Sequence, residues 1–185
     1  MTGPDNNGLA AQPRERGVRG EVLTLLLDTN VLMDYLIRRS PNNADAAALI
    51  GLADAEENIV LYTASLTLKD VYYLVEQLLK RDARAQGKLT DEAAAAARNT
   101  AWACIRLLLD HVLVVPIGQS EVWSACSLRH LHDDFEDDLI LAAALRAEAS
   151  YIVTGDKRFE HHIPQASVDT PRALELARRA VGRGQ

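Results

Sequence analysis

Acidic side chains recur where predicted secondary-structure elements begin or end. Asp28 follows the apolar run "LTLLL", and Asp156 follows "YIVTG". Asp70 lies near the start of an amphipathic segment, and five acids crowd into "DDFEDD", residues 133–138. A carboxylate at the end of a buried strand loses hydration, which is costly unless another interaction compensates. Each of these acids therefore needs a structural partner or a bound cation.

The cluster at 133–138 favours a cation, although helix capping also explains part of it. Asp133 or Asp134 can cap the helix that follows, and acids in a first turn gain only about 0.3–1 kcal/mol each from the helix dipole. Five close negative charges repel one another, and a bound cation would remove that repulsion. Asp134 and Asp137 are three residues apart and share a helix face, whereas Asp138 is expected to face away.

Taken singly, each remaining acid has an ordinary structural explanation. Asp28 or Thr29 can cap the next helix, Asp156 can form an Asx-turn, and Asp70 can be an exposed surface charge. Taken together, a parallel sheet could bring Asp28, Asp70, Asp137 and Asp156 to one edge. A ligand set of oxygens, without histidine or cysteine, suits Mg²⁺ or Mn²⁺.

The elements that must position these acids alternate between strand and helix. Strands are predicted over 22–27, 58–65, 112–116 and 151–156, with a short last one after 166. Helices are predicted over 30–39, 43–56, 66–85, 120–132 and 134–149, with one capped by Thr90 and a last one capped by Thr170 with Pro171 at its first position. This alternation predicts an α/β fold, a parallel sheet of four to five strands flanked by helices on both faces in a Rossmann-like three-layer arrangement. Ligands bind such sheets at the carboxyl ends of the strands.

The bulk properties indicate one globular domain. The chain has 185 residues, and we expect a flexible tail or expression remnant over 1–20, a domain over 21–180 and a flexible end over 181–185. The formal net charge of −6 does not suggest a generic nucleic-acid binder. No apolar stretch approaches the roughly 20 residues that span a membrane, and no signal peptide is visible, so we expect a cytoplasmic protein.

Four segments carry a resemblance to a known family. "LLLDTNVLMDYL", "TASLTLKDVYYLV", "DFEDDLILAAAL" and "YIVTGDKRF" occur in the order and approximate spacing of PIN-domain proteins, close to the VapC-like toxin nucleases. The resemblance covers roughly residues 22–170. It implies a ribonuclease that depends on Mg²⁺ or Mn²⁺ and acts as the toxin of a toxin–antitoxin pair.

The resemblance also implies which residues act. The acids that match its metal-binding and catalytic positions are Asp28, Asp70, Asp137 and Asp156. Asp70 stands where the family most often has glutamate, so its shorter side chain would draw a metal inward or bind it through water. The side chains expected to orient these acids or their water are Asn30, Thr154 and Asp134.

Substrate and partners follow as further expectations. The positive residues that flank the motifs, and could guide RNA phosphates, are Arg38, Arg39, Lys69, Lys157 and Arg158. The resemblance implies a homodimer, which the apolar helix surface within 66–109 would accommodate. It also implies a cognate antitoxin protein, because many relatives have one.

Two other functions stay open. "DTN" followed by "GDKRFE" is similar to the aspartate-nucleophile phosphatases, but their second acid, which protonates the leaving group, is replaced here by Asn30. The second is a non-catalytic PIN-like module that binds RNA or a protein. Retention of four carboxylates argues against that module, because a protein that only binds polyanions would gain by losing them.

Overall fold

The computed structural model describes residues 22–130, 134–157, 159 and 167–184. Its strands are β1 (Leu23–Leu27), β2 (Ile59–Ala64), β3 (Leu113–Val115), β4 (Tyr151–Val153) and β5 (Ser167–Val168). The helices in these residues include α1 (Thr29–Leu36), α2 (Asn43–Ala55), α3 (Ser65–Ala85), α4 (Asp91–Leu109), α5 (Gln119–Leu128), α6 (Phe135–Arg146) and α7 (Thr170–Gly184). The expected tail over 1–20 lies outside the described residues.

The strands form one parallel sheet in the order β3-β2-β1-β4-β5. β1 lies at the centre, with Leu25 opposite Leu61 of β2 and Leu27 opposite Val153 of β4. Leu25, Leu26 and Leu27 are fully buried, because both faces of the central strand are covered. The predicted parallel sheet is therefore confirmed, and its central strand is the apolar run that precedes Asp28.

Helices cover both faces of the sheet, as predicted. On one face Leu25 and Leu27 pack in a core with residues of α1, α2, α3, α4 and α7. On the other face Leu26 and Ile152 pack with residues of α6 and with Phe159. Among the residues described, no helix combines the length and the apolar character needed to cross a bilayer.

The first helix is shorter than expected. α1 ends at Leu36 rather than at residue 39, and the N–H of the extended residue Ile37 donates to the carbonyl of Met33. The side chain of Asp34 accepts hydrogen bonds from Ser40 and Asn42, the latter at 3.0 Å. These side-chain bonds stabilise a turn into α2 that competes with further helix.

The last helix starts and ends differently from the prediction. Asp169, not Thr170, is its cap, because its Oδ1 accepts from the N–H of Arg172 at 2.9 Å. Thr170 is instead the first helical residue and is buried. The helix continues to Gly184, through most of the end that we expected to be flexible, and Val181 packs against the core.

Candidate active site

Asp28 lies directly after β1, and both of its carboxylate oxygens are held. The N–H of Thr29 donates to Oδ1 at 2.6 Å. The amide of Asn30 and the hydroxyl of Thr154 donate to Oδ2, at 2.7 and 2.8 Å. A carboxylate offers about four acceptor positions, so these three bonds orient Asp28 without saturating it.

Asn30 and Thr154 join the ends of β1 and β4 around Asp28. Asn30 Oδ1 accepts from the N–H of Gly155 at 2.7 Å, while its Nδ2 also reaches Thr154 Oγ1 at 3.2 Å. The Thr154 oxygen accepts in addition from the N–H of Asp156 at 3.0 Å. A β-carbon at Gly155 would lie 3.2 Å from Asn30 Oδ1. The absence of a side chain at Gly155 therefore allows Asn30 to approach the backbone closely.

Asp137 reaches the same place from α6. Of the two candidate caps, Asp133 and Asp134, it is Asp134 that caps this helix, and its Oδ1 accepts from the N–H groups of Glu136 at 3.0 Å and of Asp137 at 3.4 Å. One small cavity is lined by Asp28, Asp137, Ile140, Ile152, Thr154 and Phe159. The fold thus brings together two acids that are more than a hundred residues apart in the sequence.

The charge of Asp156 acts on the same cavity. Burial is the largest influence on Asp28 and raises the pKa of its carboxyl. The hydrogen bonds from Thr154, Thr29 and Asn30 oppose this rise, and the negative charge of Asp156 adds to it. Asp28 is therefore a half-buried carboxylate with a like charge nearby, which is an environment that a cation would relieve.

Asp70 lies in the first turns of α3 with its two oxygens in different surroundings. Oδ1 contacts Lys69 Nζ at 2.6 Å, whereas Oδ2 is buried and accepts no hydrogen bond from any described residue. Burial, followed by the charge of Asp70, raises the pKa of Glu136 in α6, and the charges of Asp134 and Asp28 act in the same direction. Glu136 therefore connects Asp70 electrostatically with the acids around Asp28.

Two acids of the 133–138 cluster behave in ways that the sequence did not indicate. Glu136 was not singled out, yet it couples to Asp70; its only signal was its place in the turn that Asp134 caps. Asp138 was expected to face away from Asp137, and it is turned into the protein, with only 2% of its surface exposed. The spacing of residues along a helix gives the angle between two side chains, but it does not show which other element packs over each side chain.

The positive residues are spread over a wider area than the acids. Arg38 and Arg39 follow α1, whose length places them roughly 12 Å along its axis from Asp28. Arg39 forms an ion pair with Asp82 of α3 at 3.0 Å. Lys157 is exposed directly after Asp156, and Arg158 lies outside the described residues.

A separate apolar cavity lies beside the two arginines. It has a volume of about 350 Å³ and is lined by residues of α1, α3 and α4 and of the turn after α1, among them Leu36, Ile37, Val75, Leu78 and Leu79. Arg38, Arg39 and Asp82 form polar parts of its wall. It contains none of the four predicted acids, so it is distinct from the candidate active site.

The sequence profile of the PIN domain matches residues 24–158, which is most of the chain and includes all four acids. The chain belongs to the PIN-domain family. The recognition made from the four motifs is thereby confirmed. No curated protein sequence matches the chain.

Solved structures share the PIN-domain fold. VapBC2 from Rickettsia felis, solved with a promoter DNA fragment, aligns with a TM-score of 0.56 at 16% identity, over 80% of this chain and 98% of that one. A Pyrobaculum aerophilum protein gives 0.52 at 19% identity, over 91% and 99%. VapBC-1 from nontypeable Haemophilus influenzae gives 0.51 at 17% identity, over 80% and 99%. At these identities the similarity establishes the fold.

The described acidic side chains of this PIN domain are of a type that binds a hard divalent cation, but they are not yet close enough together to surround one. The donors are carboxylate oxygens, which Mg²⁺ and Mn²⁺ prefer, and one of them, Asp70 Oδ2, is buried without a hydrogen bond from the described residues. Across 22–130, 134–157, 159 and 167–184, no three acidic, histidine or cysteine side chains already form a compact metal cluster. A cation that bound several of these carboxylates would therefore have to draw them closer together.

Proposed function

We propose that this PIN-domain protein is a metal-dependent endoribonuclease that hydrolyses RNA phosphodiester bonds and serves as the toxin of a toxin–antitoxin pair. The observation that carries the proposal is the shared cavity of Asp28 and Asp137, with the charge of Asp156 beside it. This cavity lies at the carboxyl edge of a parallel sheet, where such folds bind ligands.

Each side chain of the site has a proposed role. The residues that would hold Mg²⁺ or Mn²⁺ are Asp28, Asp137 and Asp156, with Asp70 for a second ion or the attacking water. Such an ion, when bound, lowers the pKa of water and neutralises charge on the phosphoryl group. Asn30 and Thr154 would keep the Asp28 carboxylate oriented through the hydrogen bonds that they donate to it. The apolar side chains of Ile140, Ile152 and Phe159 would limit access of bulk water to the cavity.

RNA has to approach a protein whose formal net charge is −6. Positive charge beside the acids would attract the phosphates, and Lys157 and Lys69 are exposed close to Asp156 and Asp70. Arg38 and Arg39, together with Arg158, would extend this path further along the RNA. Binding through such residues weakens as the salt concentration rises.

A protein partner is part of the proposal. The similar structures from Rickettsia felis and Haemophilus influenzae are named VapBC2 and VapBC-1. The apolar cavity between α1, α3 and α4 could hold side chains of an antitoxin, and the arginines in its wall would suit acidic residues of that partner. A homodimer is likewise proposed.

The alternative functions fit the site less well. A phosphatase of the aspartate-nucleophile class needs an acid at the position of Asn30. Here the Asn30 side chain donates to Asp28 and accepts from Gly155, so it is committed to orienting the site. A module that only binds RNA would not benefit from the repulsion among the acids near Asp28.

One assay separates the three functions. The purified protein is mixed with total RNA and, separately, with a small phosphomonoester, each with Mg²⁺, Mn²⁺ or EDTA. We expect RNA cleavage with either metal, none in EDTA, and no monoester hydrolysis. The Asp28→Asn variant is the control for a contaminating nuclease. Monoester hydrolysis alone would support the phosphatase, and RNA binding without cleavage would support the non-catalytic module.

A further inference from the structure

A lysine side chain turns into the acidic site. Adjacent residues of a helix point about 100° apart and do not normally face each other. Lys69 nevertheless places its Nζ 2.6 Å from Oδ1 of its neighbour Asp70. Its side chain is 75% exposed and has free space around it, so its position beside Asp70 reflects attraction rather than confinement.

The ammonium group of Lys69 acts on two carboxylates from different elements. It pairs with Asp70 of α3, and its charge also opposes the effect of Asp70 on Glu136 of α6. The second oxygen of Asp70 stays buried and receives no hydrogen bond from the described part of the chain. Lys69 is therefore the positive charge that reduces repulsion between these two acids.

We propose that Lys69 is the built-in counter-ion of the metal-free acidic site, and that its ammonium must leave Asp70 before a divalent cation can bind there. The inference rests on the proposed function, because it requires Asp70 to take part in cation binding. Lys69 then lowers the affinity of the site for metal while it reduces repulsion without metal. Removing its charge should therefore strengthen metal binding.

An ordinary surface ion pair makes a different prediction. Exposed pairs contribute little, and a pair unrelated to the site has no effect on metal affinity. Lys80 provides a comparison on the same helix, because it pairs with Glu76 and neither residue belongs to the acidic site, although this pair is less exposed than that of Lys69. The two lysines differ in exposure, 75% against 24%, and in whether their partner belongs to that site.

The test is calorimetric titration of Mn²⁺ into the full-length protein in metal-free buffer. The proteins compared are the wild type, Lys69→Gln, Lys69→Arg and Lys80→Gln. We expect Lys69→Gln to bind Mn²⁺ about two- to fivefold more tightly, which is the range that loss of an exposed ion pair allows. Lys69→Arg keeps the charge and Lys80→Gln keeps the site, so both should bind Mn²⁺ like the wild type.

The outcomes separate this inference from the proposed function. If the wild type binds Mn²⁺ and Lys69→Gln binds it equally or more weakly, the counter-ion role is wrong and the metal site stands. The same conclusion follows if Lys80→Gln tightens binding as much as Lys69→Gln, since the effect is then general charge. If the wild type binds no Mn²⁺, both proposals fail.

Discussion

At the scale of single residues, Asp28 both caps a helix and lines the candidate active site. Its Oδ1 accepts from the first amide of α1, which is the structural role that the sequence left open. Its Oδ2 is held by Asn30 and Thr154 next to the cavity shared with Asp137. A strand can therefore end on a half-buried aspartate because three donors replace lost hydration, although partial burial still raises the pKa of its carboxyl.

The cavity predicts that Asp137→Asn stabilises the metal-free protein. Without a cation, the charges of Asp28 and Asp137 repel across a partly dry space, and asparagine keeps the shape while it removes one charge. We expect the unfolding temperature in EDTA to rise by a few degrees, and millimolar Mn²⁺ to stabilise the variant much less than the wild type. RNA cleavage should be lost, as in other trade-offs between stability and activity.

Asp91→Asn is the control for this prediction. Asp91 is also an acid in the first turn of a helix, but it is exposed at the start of α4 and outside the site. Removing its charge should slightly lower stability, because it loses a favourable interaction with the helix dipole. If Mn²⁺ stabilises the wild type and Asp137→Asn equally, or neither of them, Asp137 does not belong to a metal site.

At the scale of elements, an ion pair between buried Glu121 of α5 and Arg146 of α6 links these two helices. Glu121 of α5 accepts hydrogen bonds from Ser120 and from Arg146 of α6, each at 2.7 Å, and from the N–H of Gly118 at 2.7 Å. Arg146 lies at the opposite end of α6 from Asp137. The pair therefore helps to fix the helix that carries Asp137 into the site.

These bonds predict how stability depends on pH. Hydrogen bonds from Ser120 and then Arg146 lower the pKa of Glu121 from 4.5 to about 2. A lowered folded-state pKa gives stability that is present above pH 4.5 and is lost as the pH falls toward about 2. We expect Glu121→Gln to unfold several degrees lower than the wild type at pH 7, with the difference shrinking below pH 4.5.

Glu175→Gln is the comparison for this pH dependence. Glu175 pairs with Arg172 at 2.7 Å on α7, where both side chains are about half exposed. Such surface pairs contribute little, so its unfolding temperature should stay close to that of the wild type at pH 7. A gap between Glu121→Gln and the wild type that is as large at pH 2.5 as at pH 7 would contradict the ionic role of Glu121, since about 2 is its folded-state pKa.

At the scale of the whole molecule, the α3–α4 pair leaves aromatic surface uncovered. Tyr73 and Leu74 of α3 are 58% and 43% exposed, and Trp102 of α4 is 57% exposed. Apolar patches of this kind mark surfaces that contact another protein. They lie within the helical surface from which a homodimer was predicted.

Light scattering at micromolar concentration tests the homodimer. We expect twice the chain mass of 20.3 kDa for the wild type. Trp102→Glu should shift the protein to the monomer mass, because it places a charge in the proposed interface. Trp123→Glu is the matched control, since Trp123 is exposed on α5 and lies outside 66–109. A wild type at the monomer mass would refute the homodimer. If only Trp123→Glu dissociates the dimer, the interface involves α5 instead.

The sequence by itself determined the elements and the kinds of residue in the site. The run before Asp28 is apolar at successive positions, which fits a strand buried on both faces, and β1 is that strand. Thr90 was identified as a helix cap, and Asp134 as one of two candidate caps, because the side chain and the amide that it accepts from are neighbours in the chain. Such features depend on interactions over a few residues, so they can be read locally.

Only the tertiary structure decided which of these residues meet. Asp28 and Thr154 contact each other because β1 pairs with β4 rather than with another strand, and no local pattern specifies that order. The sequence predicted Thr170 as the cap of the last helix, whereas in the folded chain Asp169 accepts from the helix and Thr170 is buried as its first residue. The coupling of Glu136 to Asp70 depends on where the fold places the start of α6 relative to the start of α3, two helices far apart in the sequence. Strand order and helix packing are long-range, and they bring Asp28 and Asp137 to one cavity at the edge of the sheet.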